Sequence, residues 1–234
     1  MNTGFSIVIP VYNEQEIINQ TIGHTRMICE GHDYEIIVVD GNPSKNTIES
    51  IKDKEVIKII SERGRGRQMN AGASASKKDI LLFLHADTKL PDNALKKISD
   101  VILNNRFVGG AFDLGIESDR YIYRIIEKIV YYRTRITKIP YGDQAIFIKK
   151  DFFKEMNGYK EIPIMEDVEL MLRIKRLKKN IFIIPDKVKT SSRRWEKEGI
   201  IYCTLRNWLL IILFFLGFPP EKLVKYYYPN GVRS

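Results

Sequence analysis

Cysteine is scarce in this chain, which contains only two among its 234 residues, Cys29 and Cys203. Two such distant cysteines make neither a disulfide framework nor the closely spaced pairs of a metal knuckle, and a reducing setting fits them. A signal peptide is not indicated either, because the first apolar run, Phe5–Val11, contains Pro10 and follows no basic segment. We therefore expect a cytoplasmic protein that does not depend on disulfides.

Long hydrophobic runs are also missing, since no apolar stretch approaches the roughly 20 residues that span a bilayer. Residues 208–218 form an apolar run of eleven, and extending it backward meets Asn207 and Arg206. Two interpretations stay open: a helix packed under a sheet, or an anchor lying on the inner face of a membrane. The tyrosines at 226–228 and the lysines near them suit a membrane interface.

Acidic residues are the minority among the charged ones, 29 against 38 lysines and arginines, so the formal net charge is +9. This excess favours anionic partners: nucleotide phosphates, nucleic acid or an acidic membrane surface. The apolar fraction of 44% is ordinary for a globular domain, with or without an appendage. A basic amphipathic helix predicted over residues 120–138 either packs against the protein with one side solvated or contacts a membrane surface.

β-branched apolar runs alternate with helical patterns through the first ninety residues. Helices are predicted over residues 16–28 and 43–52 and in the small-residue segment that follows the basic loop at Arg63. Strands are predicted over residues 6–11, 34–39, 56–60, from 80 onward, and again over 107–114 and after the turn at 140. This alternation predicts an α/β protein with a parallel, doubly wound sheet.

The segment from Ile80 to Thr88 is a continuous apolar run that stops abruptly at polar groups, as a buried strand does when it leaves a sheet. His85 and Asp87 follow it two residues apart, on the same side if the chain is extended. One carboxylate and one imidazole could hold a divalent cation, and that cation could in turn bind a phosphate. The competing interpretation is that Asp87 only caps a turn with Thr88.

Polar side chains also follow the other predicted strands. Because ligands bind beyond the carboxyl ends of parallel strands, the joint occurrence of these groups predicts a site at that edge. The groups are Asn13 and Glu14, then Asp40, then Arg63, then His85 and Asp87.

Three motifs resemble, in order and spacing, the N-terminal half of family 2 glycosyltransferases with the GT-A fold. They are Ile-Val-Ile-Pro-Val-Tyr-Asn-Glu at 7–14, Ile-Ile-Val-Val-Asp-Gly at 36–41 and Leu-Phe-Leu-His-Ala-Asp-Thr at 82–88. The resemblance continues through Tyr-Gly-Asp-Gln at 141–144, Met-Glu-Asp-Val-Glu-Leu at 165–170 and Ser-Arg-Arg-Trp at 192–195. This set is similar to a short prokaryotic subgroup, some members of which are linked to arsenosugar biosynthesis.

The resemblance implies a GT-A fold with a mostly parallel sheet and a helical C-terminal extension. It divides the chain into a nucleotide-sugar-binding half at residues 1–115, an acceptor half at 116–195 and the extension at 196–234. Ser191 stands where processive members carry the glutamine of Gln-x-x-Arg-Trp, which speaks against processive polymer synthesis.

The same resemblance assigns roles to single residues. Asp167 is the expected general base, with Glu166 beside it. Asp87 is the expected ligand of Mn²⁺ or Mg²⁺, and His85, which replaces the first acid of the usual Asp-x-Asp, is a second metal ligand, a ribose contact or a spacer. The other residues expected to bind the substrates are Pro10, Tyr12, Glu14 and Asp40 around the base and ribose, Arg63, Asn70 and Arg194 near the diphosphate, and Gly110, Asp143 and Gln144 near the sugar or acceptor.

The implied activity is inverting transfer of a sugar from a nucleotide-diphosphate sugar to a hydroxyl or phosphate of a small metabolite, lipid phosphate or glycan. UDP is the expected nucleotide of the donor. A nucleotidyltransferase is the nearest alternative, but the loop after the first strand lacks the glycine-rich, lysine-containing pattern of that class. The other alternative is a basic module that binds a membrane or nucleic acid and has a degenerate GT-A site. The Arg-Gly segment at 63–66 is too short to favour RNA, and no nucleic acid partner is expected.

Overall fold

The computed structural model of the protein describes residues 3–227. Within that range one sheet contains eight strands: β1 Phe5–Val11, β2 Tyr34–Asp40, β3 Ile57–Ile60, β4 Ile80–Phe83, β5 Thr88–Lys89, β6 Phe107–Glu117, β7 Phe147–Lys149 and β8 Asn180–Ser191. The helices are α1 Ile18–Cys29, α2 Asn46–Ser50, α3 Arg65–Ala75, α4 Ala94–Leu103, α5 Tyr121–Thr137, α6 Lys150–Glu155, α7 Glu166–Arg176, α8 Arg193–Glu198, α9 Ile200–Phe215 and α10 Pro220–Tyr227.

The strands lie in the order β3-β2-β1-β4-β7-β6-β8-β5. The first four strands of this order are parallel, which is the doubly wound half that the alternating sequence pattern predicts. Strand β7 is antiparallel to both of its neighbours, whereas β6 and β8 are parallel to each other. The predicted α/β fold with a mostly parallel sheet is therefore confirmed.

Helices cover both faces of the sheet. Successive residues of a strand point to opposite faces, so Ile7 and Ile9 join a core cluster with α1 and α4, and Val8 joins a second cluster with α3, α6 and α7. Strand β1 is buried on both sides, which explains its continuous apolar sequence. The carboxyl ends of the strands are thereby left as the open edge of the layered structure.

The predicted C-terminal extension is helical in its described part. The apolar run at 208–218 belongs mostly to α9, which packs through Leu210, Ile211 and Phe214, whereas Trp208 and Ile212 are exposed. The helix is therefore packed on one side only. No helix among residues 3–227 has the length and apolar character to cross a membrane. The division of the chain at 115 and 195 stays a prediction, and residues 228–234 lie outside the described part.

The chain turns after β4 instead of continuing as a strand. The N–H of Thr88 donates to the carbonyl of His85 at 3.1 Å, and a two-residue strand, β5, follows. The expectation that His85 and Asp87 share one side of an extended chain is therefore wrong in its geometry, because the alternation of a strand does not apply across a turn.

Gly110 was expected to let the backbone approach a bound sugar, but it lies inside the sheet. A Cβ there would come within 2.1 Å of the carbonyl oxygen of Phe182 and 2.5 Å of the ring of Phe147. The register of β6 against β8 also shifts between Phe107 and Gly109, as it does at a β-bulge. Close packing of three strands accounts for the missing side chain.

Gly110→Ala is expected to lower the free energy of unfolding by about 1–3 kcal/mol, because backbone and ring must both shift. Gly23→Ala is the matched control: it lies in α1, a Cβ there meets nothing within 4 Å, and the change should stabilise the helix by about 0.5–1 kcal/mol. Urea unfolding of both variants measures this, and a Gly110→Ala variant as stable as wild type would contradict the packing argument.

Candidate active site

A cavity of about 330 Å³ lies at the carboxyl edge of the sheet. Its walls come from the turn after β4, the loop before α3, the turn at 141–143, the start of α7, and helices α8 and α9. Seven of the residues predicted for the site line it: Arg63, His85, Asp87, Asp143, Glu166, Asp167 and Arg194. Segments far apart in sequence thus converge on one cavity, as ligand sites in open α/β sheets do.

Asp167 joins α7 to the turn at 141–143. Its Oδ2 accepts the N–H of Gly142 at 2.6 Å, and its Oδ1 accepts the N–H of Val168 at 2.7 Å. These two hydrogen bonds fix the orientation of the side chain. Because an ionised carboxylate has about four lone-pair directions, Asp167 can still accept a proton from a ligand. A fixed carboxylate that lines a cavity is the geometry a general base requires.

Two carboxyl groups that line the cavity with Asp167 have raised pKa values. Burial raises the pKa of Glu166 to about 7, and the negative charge of Asp167 adds to this, while Arg65 opposes it. Burial likewise raises the pKa of Asp143 to about 6, with Arg133 opposing. Arg65 lies 3.9 Å from the carboxylate of Glu166. A cavity that concentrates acids and perturbs their protonation is typical of a functional site.

His85 faces this cavity as a neutral imidazole. Burial lowers its pKa to about 3, and the positive charge of Arg65 lowers it further. A Cβ on Gly142 would come within 2.8 Å of its Nε2, so a side chain at this position would force the ring to shift. A neutral imidazole can accept a hydrogen bond or bind a metal without first losing a proton.

Arg193 links two of the predicted acids. Its guanidinium lies 3.3 Å from Glu14 and 3.8 Å from Asp87. Burial raises the pKa of Glu14, although Arg193 opposes that effect. Arg193, like its neighbour Arg194, belongs to the Ser-Arg-Arg-Trp motif, whose two arginines could close over the diphosphate. The structure thus makes Glu14, Asp87 and Arg193 one charged group beside the cavity.

The residues predicted to bind the nucleotide base and ribose lie next to the cavity but do not line it. The guanidinium of Arg63 stacks on the ring of Tyr12, with its carbon 4.3 Å from the ring centroid. Asp40 is fully buried and accepts the N–H groups of Asn42 at 2.9 Å and Ile48 at 3.3 Å. Pro10 is half-buried in β1, paired in register with Val39.

Asn70 and Gln144 use their amides to hold the backbone. Both polar atoms of Asn70 bond the main chain of Tyr159 at 2.9 Å. Gln144 is fully buried, donates to the carbonyl of Phe112 at 2.9 Å and accepts from Tyr141 and Arg133. Neither side chain lines the cavity, so their visible contacts position the loops that carry Asp143 and the start of α7.

Arg194 and Arg65 bring positive charge to the cavity wall. Arg194 packs over the ring of Tyr227 with its guanidinium carbon 4.0 Å from the centroid, and its Nε lies 3.4 Å from Glu198. Arg65 begins α3, two residues after the predicted Arg63. Only the first arginine of that basic loop was selected from the sequence, since nothing local distinguishes which of its arginines face inward.

A metal cage built by the protein alone is not present among residues 3–227, where no group of three or more His, Cys, Asp or Glu side chains is placed to hold an ion. Asp87 and the neutral His85 nevertheless face the same cavity. Mg²⁺ and comparable ions are commonly bound through one or two carboxylates together with substrate phosphates. The residues present therefore fit an ion that is shared with a diphosphate.

Acids, a neutral imidazole and arginines at the carboxyl edge of a doubly wound sheet are typical of α/β enzymes that act on phosphorylated ligands. The family model described as "Glycosyl transferase family 2" matches residues 6–160, well over half of the chain. The chain therefore belongs to glycosyl transferase family 2. It is a glycosyltransferase that takes its sugar from a nucleotide-sugar donor, and the alternatives of a nucleotidyltransferase or a purely binding module fall away.

Two solved structures are similar over almost the entire chain. Residues 1–349 of TarS from S. aureus match with a TM-score of 0.61 at 14% identity, covering 95% of this chain and 69% of that one. The mannosyltransferase PcManGT from Pyrobaculum calidifontis, solved with GDP-Man and Mn²⁺, matches with a TM-score of 0.66 at 15% identity, covering 96% and 69%. At this identity the likeness shows the fold, which is the GT-A type expected from the motifs.

Glu166→Gln should stabilise the protein in a pH-dependent way. The pKa of Glu166 lies near 7 in the folded protein, whereas its ordinary value is 4.5. Ionisation of this carboxyl therefore lowers the free energy of unfolding of the wild-type protein progressively as the pH rises from about 4.5 to 7. Because glutamine does not ionise, the free energy of unfolding of the Glu166→Gln variant should exceed that of wild type by about 1–3 kcal/mol at pH 8. The two values should be equal near pH 4.5.

Thermal unfolding across this pH range measures the effect. Glu161→Gln, at an exposed position paired with Arg67, is the matched control and should show no such pH-dependent gain. A difference between Glu166→Gln and wild type that stays constant with pH would contradict the proposed protonation of the buried carboxyl.

Proposed function

We propose that the protein is an inverting, metal-assisted transferase that moves a sugar from a UDP-linked donor to an acceptor hydroxyl or phosphate. The observation that carries this proposal is the shared cavity of Asp87 and Asp167, one from the turn after β4 and one from the start of α7. It supplies two carboxylates for two different tasks, holding the diphosphate through a cation and removing a proton from the acceptor.

The donor is proposed to lie along the carboxyl ends of β1, β2 and β4. Tyr12, stacked under Arg63, offers an aromatic face for the base, and Pro10 and Glu14 complete that side with Asp40. Asp40 already accepts two backbone N–H groups, and its remaining lone pairs suit a ring N–H or a ribose hydroxyl. Arg63 and Arg194 then supply positive charge for the diphosphate, which arginine binds well through its planar donors.

Asp87 is proposed to hold Mn²⁺ or Mg²⁺, with His85 as a second ligand or a contact to the ribose. When bound, such an ion offsets the negative charge that develops on the departing nucleoside diphosphate. The turn after β4 keeps the carboxylate and the imidazole at one cavity wall. The single positive charge of Arg193 offsets only part of the negative charge of Asp87 and Glu14. The neutral imidazole adds no positive charge that would repel the cation.

Asp167 is proposed to act as the general base. The hydrogen bonds from Gly142 and Val168 hold its carboxylate toward the cavity, where it takes the proton of the acceptor as the acceptor attacks the anomeric carbon. Attack from the face opposite the leaving diphosphate inverts the anomeric configuration, and no covalent intermediate is required. Asp143 and Glu166 are proposed to contact the sugar or acceptor. With a pKa of about 6, Asp143 is mostly ionised at neutral pH and accepts hydrogen bonds, whereas Glu166, with a pKa of about 7, is about half protonated and can also donate one.

The acceptor is proposed to enter beside α8 and α9, where Trp195, Ile164 and Ile211 make one wall of the cavity apolar. A cytoplasmic setting is part of the proposal. Both cysteines are buried free thiols, and burial raises the pKa of Cys29 to about 12, so it is unreactive.

Asp167→Asn should lower the turnover number by about 10²- to 10⁴-fold, because asparagine cannot take the proton. The dissociation constant for UDP should stay within about twofold of wild type, since the donor side is unchanged. UDP release from a panel of UDP-sugars, with water or added acceptors, measures the first quantity, and calorimetry the second. Asp100→Asn, at an exposed position on α4, is the control and should behave as wild type. Turnover within tenfold of wild type would contradict the assignment of the base.

Asp87→Asn should remove the dependence of nucleotide binding on metal. Wild-type protein is expected to bind UDP at least about tenfold more tightly with Mn²⁺ than with a chelator, whereas the variant should bind equally weakly in both, because the ion loses its charged ligand. Titration calorimetry measures both, with the exposed Asp92→Asn as control. Equal binding of UDP by wild type with and without Mn²⁺ would refute the metal-bridged donor site.

A further inference from the structure

The outer side of α9 is an unbroken apolar face exposed to solvent. Its residues recur at helical spacing, and each is between 41% and 70% exposed: Ile201, Tyr202, Leu205, Trp208, Leu209, Ile212, Phe215 and Leu216. The opposite side is buried through Cys203 and Leu210. An apolar helical stripe normally faces a protein core, so this one lacks its apolar partner within the described residues.

Helix α5 carries a second stripe of the same kind. Its exposed apolar residues lie at i, i+4, i+8, i+11 and i+15, which places them on one side of the helix: Tyr121, Ile125, Ile129, Tyr132 and Ile136. The other side is buried through Tyr123, Ile126 and Thr134. This helix is also packed on one side only.

The two helices meet in one small hydrophobic cluster. Tyr123 and Ile126 of α5 pack with Ile200 at the start of α9 and with Trp195 of α8. The two helices are therefore neighbours where α9 begins. We refer to the seven residues of α9 named above, together with Leu216 directly after it and the five residues of α5, as the α5–α9 surface.

Basic side chains surround this surface. Six exposed ones make no ion pair in the described part of the chain: Arg120, Lys128 and Lys138 around α5, and Lys197, Lys222 and Lys225 around α9. The exposed acids on the same segments are Asp119, Glu196 and Glu221. Positive charge thus prevails at the rim, in agreement with the net charge of +9.

We propose that the α5–α9 surface docks on an anionic lipid bilayer, with α9 lying in the plane of the membrane interface. Basic residues flanking an apolar helical face, with tryptophan and tyrosine beside them, are the features of interfacial helices. Lysine is depleted at protein–protein interfaces, so a lysine-rich rim favours lipid headgroups over a second protein.

Docking places the cavity close to the lipid. The inner side of α9 contributes Asn207 and Ile211 to the cavity wall, and its outer side is the docking face. A helix with its side chains is about 10 Å across, so the bilayer would lie about one helix diameter from the cavity. The docking itself does not depend on the proposed transfer chemistry.

Co-sedimentation of the full chain with vesicles tests the proposal. The protein should pellet with vesicles of equal parts phosphatidylcholine and phosphatidylglycerol, bind phosphatidylcholine alone far more weakly, and be released from the mixed vesicles as salt is raised. Replacing Trp195 with Phe leaves Trp208 as the single tryptophan, and its fluorescence should shift to the blue with mixed vesicles.

The double variant Leu205→Asp, Ile212→Asp should weaken vesicle binding by about tenfold or more, because two exposed apolar side chains no longer enter the interface. Leu177→Asp, at a position 53% exposed just after α7, is the matched control and should bind as wild type. Since all three positions are exposed, the melting temperatures should agree, and circular dichroism checks that the variants fold.

Wild-type protein that stays in the supernatant with both vesicle types would overturn the proposal. So would a double variant that binds as wild type, or a control that loses binding equally. A dimer seen by analytical ultracentrifugation that the double variant dissociates, without vesicle binding by wild type, would assign this surface to a second copy of the chain and also overturn it.

Discussion

The hydrogen bond from the N–H of Gly142 to the carboxylate of Asp167 is the contact on which the site depends. It fixes the start of α7 against the turn at 141–143, and that turn also lies against His85, which follows β4. Through it the parallel half of the sheet and the second half of the chain form one cavity. A side chain at 142 would displace the imidazole. Burial in this cavity raises the pKa values of Asp143 and Glu166.

Much of the fold could be predicted from local sequence. Strands β1, β2 and β4 are buried on both faces, so their runs of Ile, Val, Leu and Phe are continuous and mark them clearly. The polar groups that follow them mark the edge of the sheet where the cavity lies. What could not be predicted locally was the turn after β4, because the apolar run itself does not encode how the chain leaves the sheet.

The roles of single polar residues were harder to predict, because they depend on contacts between distant segments. Asn70 and Gln144 were expected to bind substrate, yet their amides bond the backbone of Tyr159 and Phe112, which no local pattern reveals. Arg193 joins Glu14, 179 residues earlier, and the sequence alone does not choose between it and Arg194. The family is established by the match over residues 6–160, whereas the subgroup linked to arsenosugar biosynthesis and the residue roles stay predictions.

The central claim is that nucleotide, cation and acceptor meet in the cavity between the turn after β4 and the start of α7. A crystal structure of the protein with UDP and Mn²⁺, in which the anomalous signal locates the manganese, tests it most directly. The account predicts manganese bound to the carboxylate of Asp87 and to the diphosphate, with the uracil near Tyr12 and Asp167 facing the open end of the diphosphate. Manganese or UDP bound elsewhere, with the cavity left empty, would contradict it.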